Sequence, residues 1–322
     1  METDIIYQTD AATGFRMLND ESVDCIITSP PYWQLRDYDI KGIEWADGWF
    51  GQLGLEPTRE EYIKHLLLIF DECKRVLKPQ GTLWVNLGDS YNNSLKYSVK
   101  PPVQTICNGN NRNFLYGKNL KSKVSGLPQK TLCNIPGRFA DEMIQRKWIL
   151  RNEIIWYKPS CIPASAKDRF TVDFEKLFFF AKNPRYYFNQ QFEPYAASTF
   201  GRYERGFNLE GSKNAIYRRK YGAPYGKKEI NPNGRNRRTV WKISSENNRE
   251  LHFAAYPAKL IEIPIEAGCP PYGIVLDPFM GSGTTAIVAK RSGRHYIGFE
   301  PNPAYVDMCY RKLKTNFINN NN

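Results

Sequence analysis

Apolar and polar positions along the chain alternate between two periods. Short apolar runs, Ile5 to Tyr7, Val23 to Ile27, Thr82 to Leu87, Asn152 to Tyr157, Phe174 to Ala181, Gly273 to Leu276 and His295 to Phe299, have the length of buried strands. Between them lie stretches of helical spacing: Ala11 to Leu18, a run from Thr58, Pro136 to Ile149, Ala258 to Ile265, Ala286 to Arg291, and one opening at Asn302. The clearest follows Thr58-Arg59-Glu60-Glu61, a capping box, with Tyr62, Ile63, Leu66, Leu67, Phe70, Cys73 and Leu77 on one side. Pro79-Gln80-Gly81 is expected to stop this helix, and Pro264 to limit the one starting at Ala258. Asn302 is expected to cap the last helix, with Pro303 in its first position. Strands alternating with helices predict βαβ units and a mostly parallel sheet, an α/β fold.

Two stretches break the rhythm, and charge changes the picture there. Residues 91–130 hold seven Lys/Arg and no acid, and residues 201–242 hold twelve against three Glu. Together they exceed the whole chain's +12, so the rest is slightly acidic. In the second stretch, Tyr203, Phe207, Tyr217, Tyr221, Tyr225 and Trp241 are interleaved with the cations. Basic residues mixed with aromatics, Gly and Asn suit a nucleic-acid surface; the competing reading is a solvated loop. Arg218, Arg219, Lys220, Lys227, Lys228, Arg235, Arg237 and Arg238 are the candidate nucleic-acid contacts.

Seven scattered cysteines, an odd number with no Cys-x-x-Cys pair, indicate neither a zinc site nor a disulfide framework. No metal is expected. No leader segment or membrane-length apolar run is read at the sequence level, so a soluble, cytoplasmic protein is the expectation.

Candidate chemistry gathers at two strand ends. Val23 to Ile27 runs into Thr28-Ser29-Pro30-Pro31-Tyr32-Trp33. Two prolines cannot continue a central strand, so a rigid loop should project where α/β sheets bind ligands. The run ending at Leu276 leads into Asp277-Pro278-Phe279-Met280-Gly281-Ser282-Gly283-Thr284-Thr285, then a helix, a strand and Glu300. Glycines there let a ligand approach helix N–H groups, and an acid at the next strand's end can accept from ribose hydroxyls. A Walker A loop is excluded, because no Gly-Lys-Ser/Thr follows. Only 22 residues follow Glu300, so this half must complete its sheet with the amino-terminal strands. That arrangement is a circularly permuted nucleotide-binding domain, with Asp10 placed to meet an adenine amino group.

Ser29-Pro30-Pro31-Tyr32 first and Asp277-Pro278-Phe279-Met280-Gly281-Ser282-Gly283 last resemble the S-adenosylmethionine-dependent DNA amino-methyltransferases of the beta class. Leu87-Gly88-Asp89-Ser90-Tyr91, Arg151 to Lys158, Glu175 to Lys182 and His252 to Pro257 are similar to intermediate motifs of that family. The resemblance covers about two-thirds of the chain and implies a circularly permuted Rossmann-like methyltransferase sheet with a basic target-recognition insertion. It divides the chain into a catalytic half (1–90 and 131–189), a basic loop (91–130), a target-recognition region (190–245), a cofactor half (246–318) and a polar tail (319–322). It implies S-adenosylmethionine as cofactor, held by Asp10, Asp277, Phe279, Gly281, Gly283, Thr284, Glu300 and Asn302, with Ser29, Pro30, Pro31 and Tyr32 catalytic. Phe279 and the glycine turn would hold the methionine part, Glu300 the ribose, and Asp10 and Asn302 would lie near the adenine.

An exocyclic base amine is a poor nucleophile, because its lone pair is delocalised. Ser29 and the Pro30 carbonyl can accept its two hydrogens and draw it towards sp³ geometry, while Tyr32 can stack on a base flipped from the duplex. The proton leaves after transfer, so no strong base is required. No Pro-Cys dipeptide exists, which excludes methylation at cytosine carbon. Within the family, Ser before Pro-Pro-Tyr points to cytosine N4, and adenine N6 is the alternative. Double-stranded DNA and a cognate restriction endonuclease acting on the same site are the implied partners.

Overall fold

The computed structural model describes residues 1–38, 40–92, 118–119, 126–161, 163–199, 231–245 and 256–318. Eight strands form the main sheet: β1 (Ile5–Tyr7), β2 (Val23–Thr28), β3 (Leu77–Leu87), β4 (Ile149–Tyr157), β5 (Phe174–Ala181), β6 (Val240–Lys242), β7 (Ile274–Asp277) and β8 (His295–Phe299). Their spatial order is β1-β8-β7-β2-β3-β5-β4-β6. The strands from β1 to β3 in that order pair in parallel, β5 is antiparallel to both β3 and β4, and β6 lies parallel to β4. The last strand of the chain therefore lies between its first strand and β7, and β7 lies beside β2.

Helices cover both faces: α1 (Ala11–Gly14), α2 (Arg59–Val76), α3 (Ile135–Gln145), α4 (Ala258–Gly268), α5 (Thr284–Arg291) and α6 (Pro303–Ile318). Strand side chains alternate between two cores, as the period of two requires. Ile26, Leu83, Val85, Phe178 and Phe180 pack with Phe15, Tyr62, Phe70 and Phe139 on one face. Cys25, Ile27, Trp84 and Phe179 pack with Leu260, Ile261, Val288 and Cys309 on the other. Trp84 and Phe179, opposite each other across β3 and β5, stack with centroids 4.1 Å apart.

Several expected boundaries move. The capping box is formed, with Thr58 accepting from the Glu61 N–H and Glu61 from the Thr58 N–H, but α2 ends at Val76, before Pro79-Gln80-Gly81. Those residues belong to β3, where the register jumps from Val23↔Leu77 to Cys25↔Thr82; an irregularity of this kind accommodates proline in a strand. The first helix is one α-turn followed by a 3-10 turn, Phe15–Met17. Pro264 does not limit α4, which continues to Gly268, its apolar residues buried. The third helix stops at Gln145, and Lys147, at φ +64°, turns the chain into β4. Asn302 caps α6 as expected, accepting from the Ala304 N–H at 2.9 Å.

Residues Met1–Asn189 with Thr239–Asn322 form one compact unit and Gln190–Arg238 a second. Within the second, Phe192–Glu193 pairs antiparallel with Arg235–Asn236. No described helix is long and apolar enough to cross a membrane, and the described residues contain no His/Cys/Asp/Glu cluster able to hold a metal.

Candidate active site

Parallel pairing of β1, β8, β7 and β2 brings their carboxyl ends to one edge of the sheet. A cavity of about 690 Å³ opens there. Ser29, Pro30, Pro31 and Tyr32 line it, together with Asp10, Phe279, Gly281, Thr284 and Glu300. Two motifs separated by most of the chain thus share one cavity.

The Pro-Pro loop is held from behind. Thr28, at the end of β2, donates to Asp277 Oδ1 at 2.7 Å. Tyr62 of α2 donates to the Pro31 carbonyl at 2.8 Å. Among the described residues nothing donates to the Pro30 carbonyl, which stays available to a ligand. Trp33 is buried and gives its Nε1–H to the Glu56 carbonyl at 2.9 Å. Glu56, itself fully buried, accepts from the Gly54 N–H at 2.8 Å and faces His65 Nδ1 at 3.1 Å. His65 is stacked between Trp45 and Trp49, with Asp47 at 3.0 Å from its other nitrogen. The segment after the catalytic loop is thereby fastened onto α2.

Tyr32 is held at its hydroxyl and against one neighbouring backbone while lining the cavity. Its hydroxyl donates to Glu175 Oε2 at 2.7 Å and lies 3.1 Å from Asn86 Oδ1. A Cβ on Gly88 would come within 2.5 Å of its ring, so the ring rests on the bare Gly88 backbone. Burial, reinforced by the Glu175 charge, pushes its phenol well above the ordinary tyrosine range. Glu175 is ion-paired with Lys158, whose ammonium lies 4.2 Å from the centre of the Trp156 ring. Trp156, Lys158 and Glu175 all line the cavity.

The glycine turn divides the remaining candidates. Gly281, at φ +53°, gives its N–H to Glu300 Oε2 at 2.9 Å, and Asn302 N–H reaches Oε1 at 2.9 Å. Burial pushes the Glu300 carboxyl up to about 7, even though these two bonds favour its charged form. Asp10 lines the cavity while its Oδ1 caps α1 through the Thr13 N–H. Asp277, Gly283 and Asn302 are not on the cavity wall. Asp277 is buried and accepts from Thr28, the Phe279 N–H, Tyr256 and Thr285, so its oxygens are committed within the protein. Gly283 has φ +85°, and a Cβ there would lie 2.8 Å from Cys309 Sγ. Its bareness serves the packing of α5 against α6.

Of the candidate DNA contacts, Arg218, Arg219, Lys220, Lys227 and Lys228 lie outside the described residues. Arg235 and Arg238 both pair with Glu193 Oε1, at 2.9 and 2.6 Å. Arg237 continues the same ribbon, its N–H bonded to the Gln191 carbonyl. Arg235 and Arg238 thus also hold the ribbon together, a role that their charge alone did not reveal.

Sequence reasoning did not single out Thr28, Asn86, Lys158, Glu175 or Tyr256 as site residues. Signals were present: Glu175 is the second residue of a strand otherwise apolar apart from Lys176, and Lys158, Glu175 and Tyr256 fall within the segments that resemble intermediate family motifs.

An open α/β sheet with a Pro-Pro loop and a glycine turn facing one cavity defines a Rossmann-like methyltransferase. The profile of the DNA methylase family, which groups N6 and N4 methyltransferases, matches residues 23–311. Type II methyltransferase M.Cfr9I of Citrobacter freundii is 34% identical over 310 residues, covering 96% of this chain and 87% of that protein. Type II methyltransferase M.SmaI of Serratia marcescens is 33% identical, over 94% and 88%. Among solved structures, the PvuII DNA methyltransferase, described as cytosine-N4-specific, superposes with a TM-score of 0.59 at 19% identity, covering 99% of this chain and 92% of that one. The M1.HpyAVI–SAM complex gives 0.52 at 18% identity, over 96% and 98%. The chain belongs to the DNA methylase family, and its cofactor is S-adenosylmethionine.

Proposed function

We propose that this protein is a site-specific DNA methyltransferase that methylates cytosine N4 on a base flipped from the duplex. The observation that carries the reading is that Ser29 to Tyr32 and Phe279, Gly281 and Glu300 line one cavity. The cavity residues fit the cofactor: a buried carboxylate at Glu300 for vicinal hydroxyls, a polar group at Asp10 for an adenine edge, and Phe279 beside the bare Gly281 for the methionine part. When bound, S-adenosylmethionine supplies an electrophilic methyl group. The chain's own groups prepare the nucleophile. Ser29 Oγ and the unclaimed Pro30 carbonyl accept the two amine hydrogens, turning the nitrogen lone pair out of the ring plane. Pro31, its carbonyl fixed by Tyr62, stiffens the loop, and Tyr32 presents its ring to the base.

Ser29 supports cytosine; adenine N6 is the alternative that the same scaffold could serve. The compact unit Gln190–Arg238, within the 190–245 stretch, is read as the target-recognition region, with the lysines and arginines from 218 to 238 meeting phosphate. The naming of relatives as Type II methyltransferases supports a place in a restriction-modification system, with an endonuclease that cuts the same site.

Nucleoside mass spectrometry of DNA from cells expressing the protein tests the proposal. N4-methylcytosine is the expected product. N6-methyladenine alone would overturn the choice of base, and no methylated base would overturn the activity. Ser29→Ala should lower turnover far more than DNA affinity; equal losses would remove Ser29 from its role.

A further inference from the structure

The hydroxyl of Ser29 can meet a substrate amine as acceptor only if its own proton points elsewhere. Around Tyr32 the structure fixes where that is. The Tyr32 oxygen faces two acceptors, Glu175 Oε2 at 2.7 Å and Asn86 Oδ1 at 3.1 Å. The Asn86 amide is oriented by its Nδ2, which donates to the Lys176 carbonyl at 3.1 Å, so its oxygen is the end presented to Tyr32. A carboxylate has no proton to give. Tyr32 therefore donates, to Glu175 by the shorter, charge-assisted bond, and its lone pairs are left to accept. Among the described residues the one donor that reaches them is Ser29 Oγ, at 3.5 Å.

We infer that Glu175, held by Lys158, is a positioning residue that orients the hydroxyl chain from Ser29 through Tyr32 to Glu175, so that Ser29 presents lone pairs to the substrate amine. The inference rests on the amine-methylation reading above and assigns a residue to it. Register places Glu175 there: it lies opposite Trp156 at the start of β5, and Asn86 lies opposite Leu177 on β3. The pair is deep enough for direction to matter, with the Glu175 and Lys158 side chains each 20% exposed. Hydrogen bonds in such chains polarise one another, so the carboxylate also makes the Ser29 oxygen a better acceptor.

Glu175→Gln is the informative change. The amide oxygen turns to Lys158, and its N–H₂ faces the Tyr32 oxygen. The chain loses its negative end at nearly constant volume. With duplex DNA unmethylated at its target sites and radiolabelled S-adenosylmethionine, kcat should fall about ten- to a hundredfold, the rate equivalent of one charge-assisted hydrogen bond. KM for DNA and S-adenosylhomocysteine affinity should stay within about threefold, as expected when an interaction made only in the transition state is lost. Tyr32→Phe keeps the ring and removes the link, and should give a kcat loss of the same order. The double variant should be no slower than the slower single, because both cut one chain. Wild-type kcat in Glu175→Gln, or multiplicative losses in the double variant, would overturn the inference while leaving the methyltransferase reading intact. A wild-type protein that binds S-adenosylhomocysteine but methylates no DNA would overturn that reading, and the inference with it.

Discussion

Thr28 and Asp277, 249 residues apart in sequence, share a 2.7 Å hydrogen bond in the interior. It joins the residue before the Pro-Pro loop to the residue before the glycine turn. Asp277 also gathers Tyr256 and Thr285, and burial pushes its carboxyl above the usual carboxylate range. Thr28→Val keeps the shape of the side chain and removes the donor. It should cost about 2 kcal/mol, the worth of a bond to a charged group, in urea unfolding. Both S-adenosylhomocysteine affinity and turnover should fall, since both loops start at this bond.

Glu300 predicts a pH dependence. Its folded value of about 7 lies above the ordinary 4.5. The protonated form is therefore favoured by folding, and its contribution to stability is fully present below about 4.5 and lost as pH rises to about 7. Cofactor hydroxyls need the carboxylate, so S-adenosylhomocysteine affinity should rise across pH 6 to 8. Calorimetric titration checks this against Glu300→Gln, in which the rise should flatten and overall affinity should fall.

Gly283→Ala should destabilise by about 1–3 kcal/mol, combining a positive φ with overpacking against Cys309. Gly283 is not on the cavity wall, so the folded variant should keep S-adenosylhomocysteine affinity close to that of the wild type. Thermal unfolding paired with ligand binding separates the two effects. A large loss of affinity at unchanged stability would restore Gly283 as a cofactor contact.

The imidazole between Glu56 and Asp47 also invites substitution. His65→Phe retains stacking volume between Trp45 and Trp49 but strands the buried Glu56 carboxylate. Leaving a buried polar group without its hydrogen-bond partner costs about 1–3 kcal/mol, and adding Glu56→Gln should recover part of it. Denaturant titration of the single and double variants measures the coupling, which should be absent if the two residues do not interact.

Local patterns carried much of the fold. The capping box before α2, the strands at Phe174–Ala181 and His295–Phe299, and the Asn302 cap follow from residues adjacent in sequence. The misplaced boundaries were those where tertiary contacts override a local rule. Pro79 enters a strand at a register irregularity, and Pro264 stays in a helix whose apolar residues are buried on the sheet. The charge of Arg235 and Arg238 was legible, but their shared partner, Glu193, lies more than forty residues away.

By itself the sequence determined the chemistry on offer: a proline-stiffened loop bearing Ser29, a glycine turn bearing Phe279, and an acid, Glu300, at the next strand's end. Those depend on residue type and short-range backbone constraints, which a linear string records. Only the tertiary structure decided which groups face the cavity and which stand behind it. Asp277 and Gly283 sit in the motif yet serve the interior, whereas Glu175 and Lys158 lie outside both motifs and reach the cavity. The physical reason is strand order. Pairing β7 with β2, and β5 with β3, fixes which side chains meet, and that pairing is set by burial across the whole sheet.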